Sequence, residues 1–180
     1  RLGALLGTVH PATIVPGFSF AAALGRGSAA TDEVIFEDVA TDADAIAFEA
    51  PVEWSDVQDD TWTVDGAAVG SWVLASEDAR GFTDGWATPG LFVAASESLA
   101  REQSADEWLD TVRPTFARTC ELVGRETFQR GGYAGSYDLW ERCNESASRF
   151  VTVAALREDD GDLVYVQFQA VKDADLAALD

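Results

Sequence analysis

The side chains that most often carry out chemistry are scarce in this sequence. His10 is the only histidine among 180 residues, and it lies in an apolar stretch beside a proline, so a Ser–His–Asp triad or a multi-histidine metal site has little to be built from. The sequence contains no GxSxG, Walker, dinucleotide-binding or CxxC motif. We therefore predict no enzymatic activity, no cofactor and no metal site for this chain, although a parent protein could still be an enzyme.

Carboxylates, in contrast, are abundant. Asp and Glu number 32 against 12 Lys and Arg, for a formal net charge of −20. Pairs such as Asp159 with Asp162, or Glu126 with Glu141, would suit a glycosidase-type hydrolase, but so acidic a chain forms such pairs by chance on its solvated surface. No cluster of basic residues interrupts the acids, which argues against nucleic acid or an anionic membrane surface as a partner.

The two cysteines are predicted to meet across a β-hairpin. If Gly131 and Gly132 form a two-residue turn, the residues on either side face each other in a fixed register. Opposed residues of antiparallel strands are close enough for a disulfide, which forms in oxidising compartments, so we predict an extracytoplasmic location. Two buried free thiols are the alternative. The predicted pairs are Cys120 with Cys143, Arg125 with Asp138, and Phe128 with Gly135.

Tryptophans offer candidate ligand contacts. The chain has six, and a pocket beside four of them would hold a small ligand. The alternative is that they pack in the core, since aromatic side chains bury a large apolar area. The four candidates are Trp54, Trp62, Trp86 and Trp140.

The elements that must position these residues are arranged around residues 71–96. Residues 72–74 and 91–93 have the composition of short strands, and we predict that they are neighbours in one sheet. Between them, residues 78–82 predict one helical turn, begun by Ser76 or Asp78 and stopped by glycine. This turn would place Phe82 and Trp86 on one side of the sheet.

Further strands are predicted on the N-terminal side of this stretch. Residues 34–36 and 45–51 are apolar enough to be buried strands, and Asp65-Gly66 is typical of a turn. Residues 56–60 predict an acidic surface loop. A calcium site is the alternative there, but the spacing lacks the glycine and the closing glutamate of an EF-hand.

The clearest helix is predicted over residues 105–117. Ser104 and Glu107 form a capping box, and the apolar side chains at helical spacing would pack on the sheet. Pro114 predicts a kink or an early end near Val112. The predicted apolar stripe consists of Trp108, Leu109, Val112 and Phe116.

A second hairpin and a final helix complete the pattern. Asp160-Gly161 predicts a turn that places Val151, Val153 and Ala155 opposite Ala170, Phe168 and Val166, on one apolar face. Residues 173–179 then predict the capped start of an amphipathic helix.

Residues 1–33 are predicted to be an apolar N-terminal segment and linker, separate from a domain at 34–180. Residues 2–24 carry no charge and have the length of a membrane span, although prolines and glycines interrupt them. The alternatives are a membrane segment, the end of a preceding domain, or an arm whose Phe18 and Phe20 pack on the domain. Because the sequence lacks an initiator Met, we expect a fragment or a processed product.

The order of these elements resembles the PsbP-like sandwich, and within it a domain of actinobacterial secreted or membrane-anchored proteins that is sometimes attached to trypsin-like proteases or kinases. The resemblance covers about residues 34–180 and rests on the element order and on the motifs SWVLASEDARGFTDGWATPGLFVAAS and DADLAAL. It implies an α+β fold, an antiparallel β-sheet with flanking helices in an α/β/α sandwich. Lys172 is the only lysine, which suits GC-rich coding and an actinobacterial or halophilic source.

The resemblance also implies a role. We expect a non-enzymatic extracytoplasmic accessory or recognition module, secreted or associated with the cell envelope, as the C-terminal part of a larger secreted or membrane-anchored protein such as a trypsin-like protease. A small-ligand sensing domain is the alternative, and a carboxylate-dependent hydrolase is a third hypothesis. The sequence does not identify the protein or small ligand that the module would bind. Contact with a membrane is expected only through residues 2–24.

Overall fold

The computed structural model describes residues 34–40, 46–157 and 161–179. The predictions for residues 1–33, including the packing of Phe18 and Phe20, therefore lie outside the described residues.

Nine strands in the described ranges form two antiparallel sheets. The smaller sheet pairs β1 with β2, and the larger has the seven-strand order β3-β4-β5-β9-β8-β7-β6. This antiparallel α+β architecture confirms the predicted fold class. The strands are β1 (Phe36–Ala40), β2 (Ala47–Pro51), β3 (Asp56–Val64), β4 (Ala67–Ser76), β5 (Gly90–Ser96), β6 (Glu121–Arg130), β7 (Tyr133–Glu141), β8 (Arg149–Arg157) and β9 (Leu163–Ala170).

Three α-helices and two 3-10 helices accompany the strands in the described residues. The α-helices are α1 (Ala79–Asp84), α2 (Glu97–Glu102) and α3 (Ala105–Phe116). The 3-10 helices are Cys143–Glu145 and Asp173–Leu179. Helix α2, which the sequence analysis missed, begins at Ser96, whose hydroxyl accepts a hydrogen bond from the Leu99 N–H at 3.0 Å.

The seven-stranded sheet is covered on both faces, by different kinds of element. We call the side that packs against α1, α2 and α3 the helix face, and the opposite side the hairpin face, because the β1–β2 hairpin covers it. Leu176 of the C-terminal 3-10 helix also packs on the hairpin face. Since side chains alternate along a strand, each central strand contributes to both cores.

The two predicted strands of the 71–96 stretch pair as expected. Val73 lies opposite Val93 in the β4–β5 ladder. The Asp78 carboxylate caps α1 by accepting a hydrogen bond from the Gly81 N–H at 3.1 Å. The helix continues through Gly81 and ends at Asp84, before Gly85, two residues beyond the predicted turn at 78–82. Phe82 and Trp86 both lie on the helix face.

The predicted acidic loop at residues 56–60 was wrong, because these residues belong to strand β3. This strand is at an edge of the sheet, where backbone pairing with β4 holds it while most of its side chains face solvent. Alternation of apolar and polar residues is therefore absent, and this was the signal that the sequence analysis used.

Of the two predicted effects of Pro114, the early end near Val112 was wrong, and the kink stays a prediction. Helix α3 continues through Pro114 and ends at Phe116, with the capping box of Ser104 and Glu107 in place. Only two helical residues follow the proline, and apolar packing of Phe116 on the sheet side stabilises this last turn. The predicted stripe is buried at Trp108, Leu109 and Phe116, and half-buried at Val112.

The second hairpin forms, but its predicted register was wrong by two residues. Val151 faces Phe168, and Val153 faces Val166, in place of the predicted partners Ala170 and Phe168. The connection between the strands is longer than the two-residue turn that Asp160-Gly161 suggested. Because the shift is an even number, the same apolar side chains still share one face.

Candidate functional site

The candidate site is the β6–β7 hairpin together with the buried polar side chains between it and α3. Gly131 and Gly132 form the turn, with φ values of 61° and 81° that suit glycine. The register near the turn confirms two of the predicted pairs, Arg125 with Asp138 and Phe128 with Gly135.

A β-bulge changes the pairing farther from the turn. Val123 is an extra residue in β6, so Leu122 faces Trp140, and a continued ladder would place Cys120 opposite Arg142. Arg142 instead adopts a left-handed conformation, with φ of 53°, and this turn brings Cys143 to Cys120. The two sulfurs are 2.09 Å apart and the two Cα atoms 4.0 Å apart. The predicted cysteine pair is therefore at disulfide distance, although the simple register that predicted it is interrupted.

The disulfide lies in an aromatic environment. Both cysteines are buried in a cluster with Phe116 of α3 and Trp140 of β7. Next to it, the Asn144 N–H donates to the Thr119 carbonyl at 2.7 Å. The cysteine pair thus ties the ends of β6 and β7 to the end of α3.

A buried ion pair lies in the middle of the same hairpin. The Asp138 side chain is only 1% exposed, and it accepts two hydrogen bonds from Arg125, at 2.6 Å from Nε and 2.9 Å from Nη2. Arg113 of α3 places its Nη2 3.5 Å from the same carboxylate. The hydrogen bond to Asp138 raises the pKa of Arg125. The charge of Asp138 is therefore compensated by two guanidinium groups.

Helix α3 extends this network to the surface. Arg125 also reaches Asp110 at 3.0 Å and Asp106 at 3.5 Å through Nη1. The arginine thus connects the buried Asp138 of β7 to the exposed Asp106 and Asp110 of α3. The sequence analysis predicted the Arg125–Asp138 pair but missed Arg113, whose position follows only from the packing of α3.

Aromatic and amide groups complete the polar layer under α3. The Trp140 Nε1–H donates to the Thr152 hydroxyl at 3.1 Å, and Gln167 donates to the Tyr165 hydroxyl at 3.1 Å. Burial raises the pKa of Tyr165, so its phenol stays neutral. Within the described part of the chain, the indole N–H of Trp108 is buried without a hydrogen-bond partner.

The four candidate tryptophans are distributed over both faces of the sheet. Trp54 packs on the hairpin face, 6.1 Å from Phe168 between ring centroids. Trp62 packs against Trp108 on the helix face, with the two ring centroids 5.2 Å apart. Trp86 and Trp140 both lie near Phe116 in the cluster around the cysteines, and their ring centroids are 6.5 Å and 5.9 Å, respectively, from that of Phe116. Among the four, Trp86 alone is half-buried, and ligand binding by these residues stays a prediction.

The carboxylate pairs that suggested a hydrolase are placed as follows. Glu126 accepts a hydrogen bond from the Tyr137 hydroxyl at 2.5 Å, whereas Glu141 faces Glu121 near the far end of the same hairpin. Asp159 lies outside the described residues. The Oδ2 atom of Asp162 is 3.9 Å from Nη1 of Arg157. Glu126 and Glu141 thus do not face each other across the ladder.

Over the residues that the structure describes, Cys, His, Asp and Glu form no group of three or more that could hold a metal ion. In the same residues, no helix combines the length and apolarity that crossing a membrane requires.

Comparison with known proteins finds little. No family model and no curated protein matches the chain. Among solved structures, the chain is similar to the cyanobacterial PsbP (CyanoP) from Synechocystis sp. PCC 6803, with a TM-score of 0.42 and 13% identity, over 84% of this chain and 88% of that one. A PsbP-family protein is thus a structural neighbour, but at this TM-score the likeness carries no argument, and the actinobacterial context stays a prediction.

Proposed function

We propose that this domain is a non-catalytic accessory or recognition module that works in an oxidising, extracytoplasmic compartment. The observation that carries the proposal is the buried pair of Cys120 and Cys143 at disulfide distance. Disulfides persist in secreted and cell-envelope proteins, whereas reducing compartments keep cysteines as thiols.

The position of the disulfide supports a structural role for it. It closes a loop of 23 residues that contains the whole β6–β7 hairpin, and such a closure stabilises a fold by about 3 kcal/mol. The bond also holds Arg142 in its left-handed conformation, which costs a non-glycine residue about 1 kcal/mol. A domain that relies on this closure is suited to an oxidising environment.

The use of the charged side chains supports a non-catalytic role. Asp138 is held by two arginines, Glu107 and Asp78 cap helices, and Asp175 accepts hydrogen bonds from two backbone N–H groups. Each of these carboxylates has a partner that fixes its position in the fold. Such arrangements stabilise a scaffold, because they engage these carboxylates in contacts within the fold.

Disulfide formation tests the location. The protein, exported to an oxidising compartment and purified without reductant, should be about 2 Da lighter by intact mass than its reduced form. Reduction should lower the free energy of unfolding by about 2–4 kcal/mol. The matched control is the Cys120→Ser/Cys143→Ser variant, whose stability should not respond to reductant. Free thiols in the exported protein would contradict the proposed location.

Hydrolytic assays test the absence of catalysis. The protein should release no product from a panel of chromogenic glycosides and esters. Glu126→Gln and Glu141→Gln are the informative variants, because they remove the carboxylates of the candidate acid and base while keeping their size. Turnover by the wild type that either variant abolishes would overturn the proposal in favour of a hydrolase.

The proposal extends to the parent protein. We propose that the domain belongs to a longer secreted or membrane-anchored chain, such as one with a trypsin-like protease. The resemblance of the element order supports this extension, and the coding sequence on either side of the domain tests it.

A further inference from the structure

We propose that the helix face binds a small organic ammonium ion in a recess between α1 and α3, which we call the aromatic recess. This inference rests on the proposed function and deepens it, because it names the class of ligand that the recognition module would take. The recess is lined by five half-buried side chains, those of Trp72, Trp86, Phe92, Val112 and Gln167.

Solvent reaches the middle of the helix face. Strands β5 and β9 are the third and fourth of the seven strands, a position where neighbouring elements normally cover the side chains. Phe92 and Gln167 face each other there in the β5–β9 ladder, and both are only half-buried. The residues next to them in the chain, Val93 and Val166, point to the hairpin face and are buried. The helix face is therefore open at a point where the opposite face is closed.

The positions of the helices explain this opening. Helix α1 packs over β3 and β4, whereas α3 packs over β7 and β8. Helix α2 begins after Ser96, about 13 Å along β5 from Phe92. The middle of β5 and β9 thus lies in a gap between the three helices, with the half-buried Val112 of α3 on one side.

Aromatic rings form the walls of the recess. Trp72 stacks on Phe92, with the ring centroids 5.6 Å apart and an angle of 28° between the planes. The loop that carries Trp86 is held by Gln169, whose amide donates to a carbonyl of that loop at 2.7 Å, two residues along β9 from Gln167. The faces of aromatic rings carry partial negative charge, so partly exposed rings attract an organic cation.

Gln167 supplies a hydrogen-bond acceptor. Its Nε2–H donates to the Tyr165 hydroxyl at 3.1 Å, and no other hydrogen bond of the Gln167 side chain occurs within the described residues. The amide oxygen is therefore available to a ligand that donates. An ammonium group has N–H donors and no acceptor, which matches this oxygen.

The charge around the recess also favours a cation. The whole chain has a formal net charge of −20, which attracts cations and repels anions. Beside the recess, Arg113 and Arg125 are linked to three aspartates including Asp138, and two positive and three negative charges leave a net charge of −1. Burial raises the pKa of the Tyr165 hydroxyl, and the negative charge of Asp138 raises it further. Negative charge thus acts at the edge of the recess.

Titration of the complete chain, followed by the NMR signals of its backbone amides and indoles, tests this proposal. The probes are butylammonium, butanol and butyrate, which share an alkyl chain and differ in the charge of the head group. Butylammonium should shift the signals of Trp72, Phe92 and Gln167 saturably, with an affinity at least about tenfold higher than that of the other two probes. Equal affinity for butanol, or unsaturated shifts spread over the acidic surface, would overturn the proposal.

Variants at Gln167 test the polar contact. Gln167→Glu places a negative acceptor in the recess and should tighten butylammonium binding by about fivefold or more, whereas Gln167→Lys should abolish it. The matched control is Gln58→Glu, which adds the same charge in β3, three strands and roughly 14 Å away in the same row of the sheet. Equal tightening by the control would show that the overall charge determines binding, and it would overturn the assigned site.

Variants of the rings test the walls. Phe92→Leu and Trp86→Leu each remove one ring but keep an apolar side chain, and each should weaken butylammonium binding by about fivefold or more. Either variant alone suffices if the other unfolds, and wild-type affinity in a folded variant would contradict the proposed lining. Because these titrations measure neither the disulfide nor hydrolysis, the proposed function and the ligand class can fail separately.

Discussion

The two faces of the seven-stranded sheet bury side chains of different character. On the hairpin face the core is aliphatic and aromatic, with residues such as Val73, Val93, Val166 and Phe168. The helix face is different, because every buried Ser, Thr, Asp and Gln in the described strands of this sheet lies on it. These residues are Ser76, Ser96, Ser136, Asp138, Thr152 and Gln169.

The covering elements explain the difference. The helices, and the loops next to them, present backbone carbonyls and long charged side chains to the sheet. These groups can form hydrogen bonds with buried polar side chains. Gln169, for example, donates to the carbonyl of Thr88 at 2.7 Å, and the Ser76 hydroxyl donates to that of Pro89 at 2.7 Å. The β1–β2 hairpin uses its backbone groups in its own ladder and covers the other face with apolar side chains. We infer that the hairpin face mainly stabilises the fold, whereas the helix face also fixes its detailed arrangement.

The largest expected effect is on the hairpin face. Phe168→Ala removes a fully buried ring that lies against Trp54, and we expect a loss of about 3–5 kcal/mol in the free energy of unfolding. Urea denaturation measures it. Phe168→Leu is the control and should cost less, because it leaves a smaller cavity. Equal losses for the two variants would mean that cavity size does not determine stability on this face.

Breaking the ion pair on the helix face should have a somewhat smaller effect. Arg125→Ala leaves the buried Asp138 with only Arg113, at 3.5 Å, and we expect a loss of about 2–4 kcal/mol. The double variant Arg125→Leu/Asp138→Leu removes both charges and should be more stable than Arg125→Ala. If the double variant is the less stable one, the pair contributes more than the cost of an uncompensated charge.

Exchanging polar and apolar groups between faces gives the most direct test of the comparison. Thr152 and Val153 are neighbours in β8 that point to opposite faces. Val153→Thr places a hydroxyl in the apolar core, and Thr152→Val removes the acceptor of the Trp140 N–H, so each should cost about 1–3 kcal/mol. Thermal unfolding measures both variants. A neutral Val153→Thr would show that the hairpin face tolerates polar groups after all.

The smallest expected effect concerns the pH dependence of stability at two carboxylates. Burial raises the pKa of Asp175, so the folded state binds a proton more tightly than the unfolded chain there, and stability should fall as pH rises from about 4 through the raised value. Hydrogen bonds from Ser104 lower the pKa of Glu107, so its contribution has the opposite sign and is lost as pH falls below about 4.5.

Two amide variants separate these contributions. Asp175→Asn keeps an acceptor for the N–H groups of Val171 and Lys172 and should remove the fall in stability with rising pH. Glu107→Gln should remove the rise in stability with rising pH that Glu107 contributes. Urea midpoints between about pH 3 and about pH 6 measure both. Parallel pH profiles for the wild type and Asp175→Asn would contradict the first assignment.

Much of the fold was predictable from the sequence because it depends on local signals. The capping box at Ser104 and Glu107, and the glycine turn at 131–132, each act over a few residues, and the structure confirms both. Apolar composition also predicted β4, β5 and the α3 stripe. The same signals placed Arg125 opposite Asp138, since a two-residue turn sets the register of the strands beside it.

Other features were decided only by the tertiary structure, because they depend on contacts between distant residues. Strand β3 has the composition of a loop and is held by pairing with β4, and the bulge at Val123 and the left-handed Arg142 together determine how the cysteines meet. Local sequence also could not assign the four tryptophans to faces, because that assignment depends on which elements cover each side of the sheet. The sequence by itself therefore determined most of the elements and the cysteine pair, whereas the packing of helices and hairpin on opposite faces decided where polar groups could be buried.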